Sequence, residues 1–260
     1  MNLALLQKLI EKTINPACAL VGDPIGLQLQ SGLSEVNKIL IAYEVTNDVV
    51  EEAIRKKVDL IIAFHPLIYS PLKEISENDR VGKLITKLIQ SSIALYIVHT
   101  AFDCHNEGTS KVLADKLGLN VLGVLQKSDN DINCGIGVVA ESSEELSLNQ
   151  VLSKCKEIFK TSIRYNQTKK DKFKRFGILG GSGFTFIESA FRAECDVYIT
   201  ADCSYHKFHQ VEDNILLIDA GHYETEQFVP EALYNALTLE IKEKCEVFIS
   251  EVNTNPVLYY

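Results

Sequence analysis

The stretch Val58-Asp59-Leu60-Ile61-Ile62-Ala63-Phe64 is apolar except for one aspartate, and His65 follows it directly. A short apolar run of this kind is typical of a strand buried on both faces, as in a parallel sheet. Similar runs lie on either side of it in the sequence, at residues 38–43 and 93–98. The first part of the chain is therefore predicted to contain three buried strands.

Segments with helical periodicity separate these runs. A helix with one apolar face is predicted at residues 3–14, and a second begins at the cap-like Thr46. Two more helices are predicted at residues 81–89 and 110–117. Strands that alternate with helices predict an α/β architecture with largely parallel pairing.

The same alternation resumes after a polar, turn-rich stretch at residues 126–133, which is interpreted as a boundary. We therefore predict two α/β domains with mixed, largely parallel sheets, at residues 1–126 and 127–260. The last strand, within residues 245–260, is a candidate to pack back on the first domain. The predicted strands of this half lie at residues 136–140, 176–179, 197–199, 215–218 and 246–249, and the predicted helices at residues 146–159, 186–193 and 225–237.

The composition limits the possible partners. The 260 residues are 46% hydrophobic and 23% charged, which is ordinary for a soluble globular protein. The 35 acidic and 26 basic residues give a formal net charge of −9, so direct nucleic-acid binding is not expected. No apolar run approaches the roughly 20 residues of a membrane span, and the first residues lack a secretory signal, so we expect a cytoplasmic protein.

Seven cysteines are scattered along the chain without a Cys-x-x-Cys pair. This spacing favours neither a zinc ribbon nor a thioredoxin-type redox pair. We predict that all seven are reduced thiols, mostly buried as small hydrophobic side chains.

Three histidines follow the carboxyl ends of predicted strands. His65 and His99 come directly after two of the buried runs, and His222 lies four residues past residue 218. Open α/β sheets place ligands in a crevice at the carboxyl ends of their strands, so distant segments meet there. A single histidine in such a place is more often a loop residue, but three with nearby carboxylates favour a site.

His222 and Glu226 are the sharpest local pair. On a helix that starts at His222 the two side chains are one turn apart and share a face. Imidazole and carboxylate suit zinc, iron, manganese or nickel better than calcium. A His–Glu pair at this spacing is also common on ordinary helix surfaces, so a plain surface pair remains the alternative interpretation.

Other polar residues and turns are weaker candidates. Asp103, four residues after His99, is either a metal ligand or the N-cap of a short helix. His206 is a candidate to point into the crevice, whereas His209 is predicted to lie on a surface helix. The turn 180–183, Gly-Gly-Ser-Gly, is either an anion cradle or a tight turn. Asp23 lies in a predicted turn without evident chemistry.

Six segments in order resemble one family, the Nif-three-like (YbgI-like) dinuclear metal-binding proteins, often labelled GTP cyclohydrolase I type 2 homologues. The resemblance extends across nearly the whole chain. Residues 22–27 are similar to the family's Trp-Asp-Asn-x-Gly-Leu motif, residues 64–66 to His-His-Pro, and residues 99–103 to His-Thr-x-x-Asp. Further along the chain, residues 180–183 are similar to Gly-Gly-Ser-Gly, residues 202–206 to Gly-Asp-x-x-x-His, and residues 221–226 to Gly-His-x-x-Thr-Glu.

The resemblance implies two α/β domains, a homohexamer, and an interdomain cleft with one or two divalent metal ions per subunit. It also implies His65, Asp103, His222 and Glu226 as the ligands. Phe64 replaces the first histidine of His-His-Pro, and a phenyl ring cannot bind a metal ion, so one ligand of the two metal positions is missing. No inserted middle domain of the kind seen in longer relatives is expected.

Two functions are consistent with this resemblance. The first is a metal-dependent hydrolase that acts on a nucleotide-like substrate through metal-activated water, with His99 or His206 moving a proton. The second is a non-catalytic metal-binding ring that acts as an adaptor or handles metal, and the loss of a ligand at Phe64 favours it.

Overall fold

The computed structural model describes residues 1–128 and 134–259, and the chain forms two compact units. The first unit contains Met1–His105 and Val229–Pro256, and the second contains Asn106–Phe228 with the last residues from Val257. The chain thus passes into the second unit after His105, earlier than the predicted boundary after residue 126. Part of the polar stretch at 126–133 lies outside the described residues.

A five-stranded sheet forms the centre of the first unit. In the order β1-β4-β3-β2-β11, β1 is antiparallel to β4 and the other neighbours are parallel. All residues of β3 and β4 are buried, as their apolar runs predict. The closing strand pairs with β2. The strands are β1 (Gly26–Leu29), β2 (Lys38–Ala42), β3 (Leu60–Ala63), β4 (Ala94–Ile97) and β11 (Glu246–Ile249).

The core of this unit follows from the parallel register. Leu40 lies opposite Ile61, and Ile61 lies opposite Leu95, so three fully buried side chains form one row across the sheet. The α2 helix begins after Thr46, whose side-chain oxygen accepts a hydrogen bond from the Val49 amide. The helices are α1 (Leu3–Thr13), α2 (Asn47–Lys56), α3 (Arg80–Gln90), α4 (His99–Asp103) and α10 (Val229–Ile241).

The second unit contains a mixed six-stranded sheet in the order β5-β6-β8-β9-β10-β7. Among the described strands of this sheet, only β8, β9 and β10 pair in parallel, and the other neighbours are antiparallel. The two edge strands, β5 and β7, were not predicted from the sequence, because most of their residues are exposed. The strands are β5 (Asn120–Lys127), β6 (Gly135–Leu146), β7 (Arg164–Tyr165), β8 (Phe173–Ile178), β9 (Val197–Thr200) and β10 (Leu216–Asp219).

Several helices surround this second sheet. The helix α5 packs on β5 and β6, which explains why the unit begins before residue 126. The single helix predicted at residues 225–237 is in fact two helices, α9 in this unit and α10 in the other. The helices of the second unit are α5 (Thr109–Lys116), α6 (Leu148–Phe159), α7 (Ile187–Arg192), α8 (Tyr205–Gln210) and α9 (His222–Glu226).

The cysteines differ from the prediction at two positions. Cys155, Cys195, Cys203 and Cys245 are buried thiols. Cys18 and Cys134 are disulfide-bonded, so the prediction of seven reduced thiols is wrong for these two. Spacing along the chain does not reveal which cysteines form a disulfide. Among the described residues, no helix has the length and apolar character that crossing a membrane requires.

Candidate metal centre

His222 and Glu226 form the predicted pair on α9. The helix begins at His222, shortly after β10 ends at Asp219, and Nε2 of His222 lies 3.1 Å from Oε2 of Glu226. The Glu226 side chain is buried, whereas His222 is partly exposed. The local spacing alone therefore brings an imidazole nitrogen and a carboxylate oxygen together, as a metal site requires.

Asp202 binds the other nitrogen, Nδ1, of the His222 imidazole. Its Oδ2 oxygen accepts a hydrogen bond from Nδ1 of His222 at 2.7 Å. Asp202 has φ of 55°, in the left-handed region, where a non-glycine residue is strained. A carboxylate on Nδ1 fixes the ring so that Nε2 faces the ligand position. Asp202 was not assigned to the site from the sequence. Its position two residues after the end of β9 was the signal that could have indicated it.

These two carboxylates determine the charge of His222. Burial lowers the pKa of the imidazole, but the hydrogen bonds to Asp202 and Glu226 outweigh it and raise the pKa to about 10. The hydrogen bond from His222 in turn lowers the pKa of Asp202. Without a metal ion the ring is therefore protonated at neutral pH, and a metal ion that binds there displaces a proton.

The glycine turn at 180–183 packs directly against the candidate ligands His222 and Glu226. A Cβ atom on Gly181 would lie 2.2 Å from Oε1 of Glu226 and 3.3 Å from Nε2 of His222. Gly181 also has φ of +62°, a conformation that favours glycine. Its amide donates a hydrogen bond to Oγ1 of Thr225. Of the two interpretations of this turn, the contacts support a tight turn that leaves space beside the two candidate ligands.

His65 lies in the first unit, directly after the buried strand β3 and Phe64. Its Nδ1 is 3.3 Å from Oε2 of Glu44. The ring packs edge-on against Tyr43, with centroids 4.7 Å apart, and against His99 at 5.4 Å. The strand therefore delivers His65 into an aromatic cluster beside a second histidine, as the strand-end positions predict.

Asp23 anchors His99 in this cluster. Its Oδ1 accepts a hydrogen bond from Nδ1 of His99 at 2.7 Å, and its Oδ2 accepts bonds from the amide and hydroxyl of Thr100. Burial raises the pKa of Asp23, but these hydrogen bonds outweigh it and the net pKa is lowered. His99 has φ of 22°, so the anchored residue is strained. This role of Asp23 was not predicted from the sequence.

Four further residues that the sequence analysis singled out have clear positions. Phe64 is fully buried, and its ring stacks on Tyr43 at 6.0 Å. Asp103 is the last residue of α4, so the N-cap interpretation is wrong, because the next helix begins after Gly108. His206 is exposed on α8, as is His209.

His222 and Glu226 of the second unit are candidate ligands for a metal ion, and His65 of the first unit is a candidate by its residue type. Imidazole and carboxylate are donors found in catalytic zinc sites and also suit iron or manganese. Within the second unit, the orientation of His222 by Asp202 and the space left at Gly181 fit such an ion.

The fold and this donor set define a class of two-unit α/β proteins with a candidate histidine–carboxylate metal centre. A family model described as Duf34/NIF3 (NGG1p interacting factor 3) matches residues 1–256. The chain belongs to this family.

Several relatives are similar over most of their length. A protein of Clostridium acetobutylicum named GTP cyclohydrolase 1 type 2 homolog is 34% identical over 207 residues, 78% of this chain and 77% of the relative. One of the same name from Lactococcus lactis is 31% identical over 251 residues, 95% of each chain.

Solved structures agree with the fold. A Staphylococcus aureus hypothetical protein is 27% identical, with a TM-score of 0.91 over 100% of this chain and 99% of its own. A Bacillus cereus protein related to NIF3 has a TM-score of 0.92 over 100% of this chain and 99% of its own. Its identity of 24% shows the fold alone.

Proposed function

We propose that the protein is a metal-dependent hydrolase that acts on a nucleotide-like substrate through metal-activated water. The observation that carries the proposal is the imidazole of His222, oriented by Asp202 on Nδ1 and paired with Glu226 on Nε2. The names of the relatives, GTP cyclohydrolase 1 type 2 homolog, support a nucleotide as the substrate class.

The proposed ligands are His65, Asp103, His222 and Glu226. A bound divalent ion lowers the pKa of its water toward neutrality and polarises the bond to be cleaved. The protein's own contribution is orientation, because Asp202 accepts a hydrogen bond from Nδ1–H of His222 and so leaves Nε2 as the nitrogen that would bind the ion. Gly181 contributes space, since any side chain there would collide with Glu226.

Proton transfer is assigned to His99, with His206 as a second candidate. Asp23 holds Nδ1 of His99, so the proton to be gained or released is the one on Nε2. Asp23 is itself fixed by Thr100, which keeps the imidazole in one orientation. His206 is exposed, so its ring can turn toward a bound substrate without breaking a buried contact.

The test combines metal analysis with turnover. Protein purified without a histidine tag is loaded with zinc, iron or manganese and incubated with GTP, while formate and phosphate release are measured. Metal-dependent release that falls strongly in Glu226→Gln supports the proposal. The control is Glu188→Gln, the same change at an exposed position on α7, which should not alter release. Fully loaded protein with no turnover of any nucleotide contradicts the proposal.

A second candidate function is a non-catalytic metal-binding protein, an adaptor or metal handler. Phe64 favours it, because a fully buried phenyl ring stands where the family motif has a ligand. The Phe64→His variant discriminates between the two. If metal content per subunit rises and no activity appears, the binding role is favoured.

The proposed assembly is a cytoplasmic homohexamer with one or two metal ions per subunit and no direct nucleic-acid contact. The net charge of −9 supports the last point. Sedimentation analysis at micromolar concentration measures the assembly, and a monomer under these conditions contradicts it.

A further inference from the structure

Asp219 is a buried carboxylate at the end of β10, three residues before His222. Its two oxygens accept hydrogen bonds from two different segments of the second unit. Oδ2 accepts one from the amide of Cys203 at 2.9 Å, and Oδ1 accepts one from the amide of Gly221 at 3.2 Å. Cys203 follows Asp202, and Gly221 precedes His222. One carboxylate therefore joins the two segments whose side chains form the Asp202–His222 hydrogen bond.

Arg164 fixes this carboxylate from the edge strand β7. It lies directly opposite Asp219 in the antiparallel pairing of β7 with β10. Its Nη2 donates hydrogen bonds to Oδ2 of Asp219 and, at 2.7 Å, to the backbone oxygen of Cys203. Asp219 thus holds the N–H group of Cys203, and Arg164 holds its carbonyl group. Hydrogen bonds to charged groups are stronger than neutral ones, so the pair restrains the backbone next to Asp202.

The backbone around the Asp202–His222 bond needs such support. Asp202 has φ of 55° and Gly221 has φ of 85°, so both have positive φ. Conformations of this kind persist only where surrounding contacts hold them in place. Asp219 bonds to the residue after Asp202 and to Gly221 itself. Its carboxylate therefore helps to set the distance between Asp202 and the imidazole of His222.

We propose that Asp219 is a positioning residue for the proposed metal centre, and that Arg164 holds Asp219 in place. By joining the two segments, Asp219 keeps the Asp202 carboxylate within hydrogen-bond distance of Nδ1 of His222. Nε2 of the imidazole then stays available for the ion. Asp219 acts through Asp202 and does not itself contact the ion. The inference rests on the proposed function, because the ring that is positioned is a proposed metal ligand.

The variant Asp219→Asn tests this role in the metal-free protein. An amide has one oxygen and one NH₂ group, so at least one of the two backbone amides loses its acceptor. In protein with isotope-labelled histidine at neutral pH, the Nδ1–H proton of His222 gives a downfield NMR signal, because a carboxylate accepts its hydrogen bond. The absence of this signal from His222→Gln assigns it. We expect Asp219→Asn to shift the signal upfield or to remove it.

Asp196→Asn is the matched control. Asp196 also accepts hydrogen bonds from two backbone amides, those of Lys174 and Arg175, and it pairs with a lysine. It lies directly before β9, whereas Asp219 ends the parallel strand β10, so the two aspartates are at opposite ends of these strands. Asp196→Asn should lower stability and leave the His222 signal unchanged. A signal that is unchanged in Asp219→Asn, or equally altered in both variants, overturns the proposal.

Zinc affinity, measured by competition with a chelator, is the second readout. Asp219→Asn should weaken zinc binding roughly 10-fold, as the loss of an outer partner of a metal ligand does. Because Asp219 acts through Asp202, its substitution should have a much smaller effect in the Asp202→Asn background. An equal fold loss in both backgrounds would show a general effect on the fold and would overturn the proposal.

Arg164→Ala is the second variant, and it decides the matter if Asp219→Asn does not fold. Its side chain is 59% exposed on an edge strand, so the fold should persist. The same His222 signal should shift in this variant, and an unchanged signal overturns the proposal. The signal is measured without metal. Wild type that binds no zinc therefore contradicts the proposed function, while an altered signal in Asp219→Asn alone still supports the positioning role.

Discussion

Asp202 and His222 are joined by a hydrogen bond of 2.7 Å between Oδ2 and Nδ1, although they lie 20 residues apart in the sequence. The bond links the loop after β9 to the first residue of α9. It orients the imidazole so that Nε2 lies next to Glu226. One carboxylate therefore contacts each nitrogen of the ring, Asp202 at Nδ1 and Glu226 at Nε2. The metal binding proposed for the second unit depends on this arrangement.

Asp202→Asn should weaken metal binding by roughly 10- to 100-fold, the usual effect of removing an outer carboxylate from a histidine ligand. The fold should persist, since Asp202 is exposed on a loop. Competition with a zinc chelator measures the affinity, and Asp171→Asn, a change at an exposed loop position, is the control. Equal affinities in wild type and Asp202→Asn would show that the carboxylate does not position the ring.

The metal-free protein should lose stability as the pH rises from neutral toward alkaline values. The folded pKa of His222, about 10, is above its ordinary value of 6.5. The contribution of the charged ring is therefore fully present below pH 6.5 and is lost as the pH rises through 10. Urea unfolding of apo wild type and apo His222→Gln measures it, and their difference should shrink across this range. A difference that stays constant from pH 6.5 to 10 would contradict the assigned charge.

Gly181→Ala should reduce both stability and metal content. The new methyl group would meet Oε1 of Glu226, and the φ of +62° costs a non-glycine residue about 1 kcal/mol or more. Gly123→Ala is the matched control, because a methyl group there would have open space around it and the φ of Gly123 is not positive. Thermal unfolding and elemental analysis measure the two effects. A Gly181→Ala protein with full metal content would refute the proposed contact.

Ile61→Ala should lower the free energy of unfolding by about 2–5 kcal/mol, since it removes the middle side chain of the row Leu40–Ile61–Leu95. Ile75→Ala, at a position 57% exposed, should change it by about 0.5 kcal/mol or less. Urea denaturation measures both variants. Equal stability of the two would mean that β3 is not at the centre of the core.

The sequence predicted the parts of the fold that depend on local periodicity. The buried strands β3 and β4 are continuous apolar runs, and α2 begins at a capping threonine, so each carries its own signal. The edge strand β5 lacks such a signal, because it buries few of its side chains. The predicted boundary between the units, after residue 126, therefore lies later in the chain than the start of the second unit at Asn106.

In the candidate site, too, the contacts between residues close in sequence were predictable and the contacts between distant residues were not. His222 and Glu226 were predictable as a pair because one helical turn separates them. The partners that orient the histidines were not, because Asp202 lies 20 residues from His222 and Asp23 lies 76 residues from His99. Contacts of that kind depend on how loops meet after folding, and residue spacing does not encode them.

The metal content of Glu226→Gln tests the central claim most directly. Wild type and variant are purified side by side without a histidine tag or added metal, and elemental analysis gives the metal ions per subunit. We predict at least one divalent ion per wild-type subunit and a strongly reduced content in the variant, with unchanged thermal unfolding of the two apo proteins. Equal metal content in wild type and Glu226→Gln would remove Glu226 from the ligands and contradict the account.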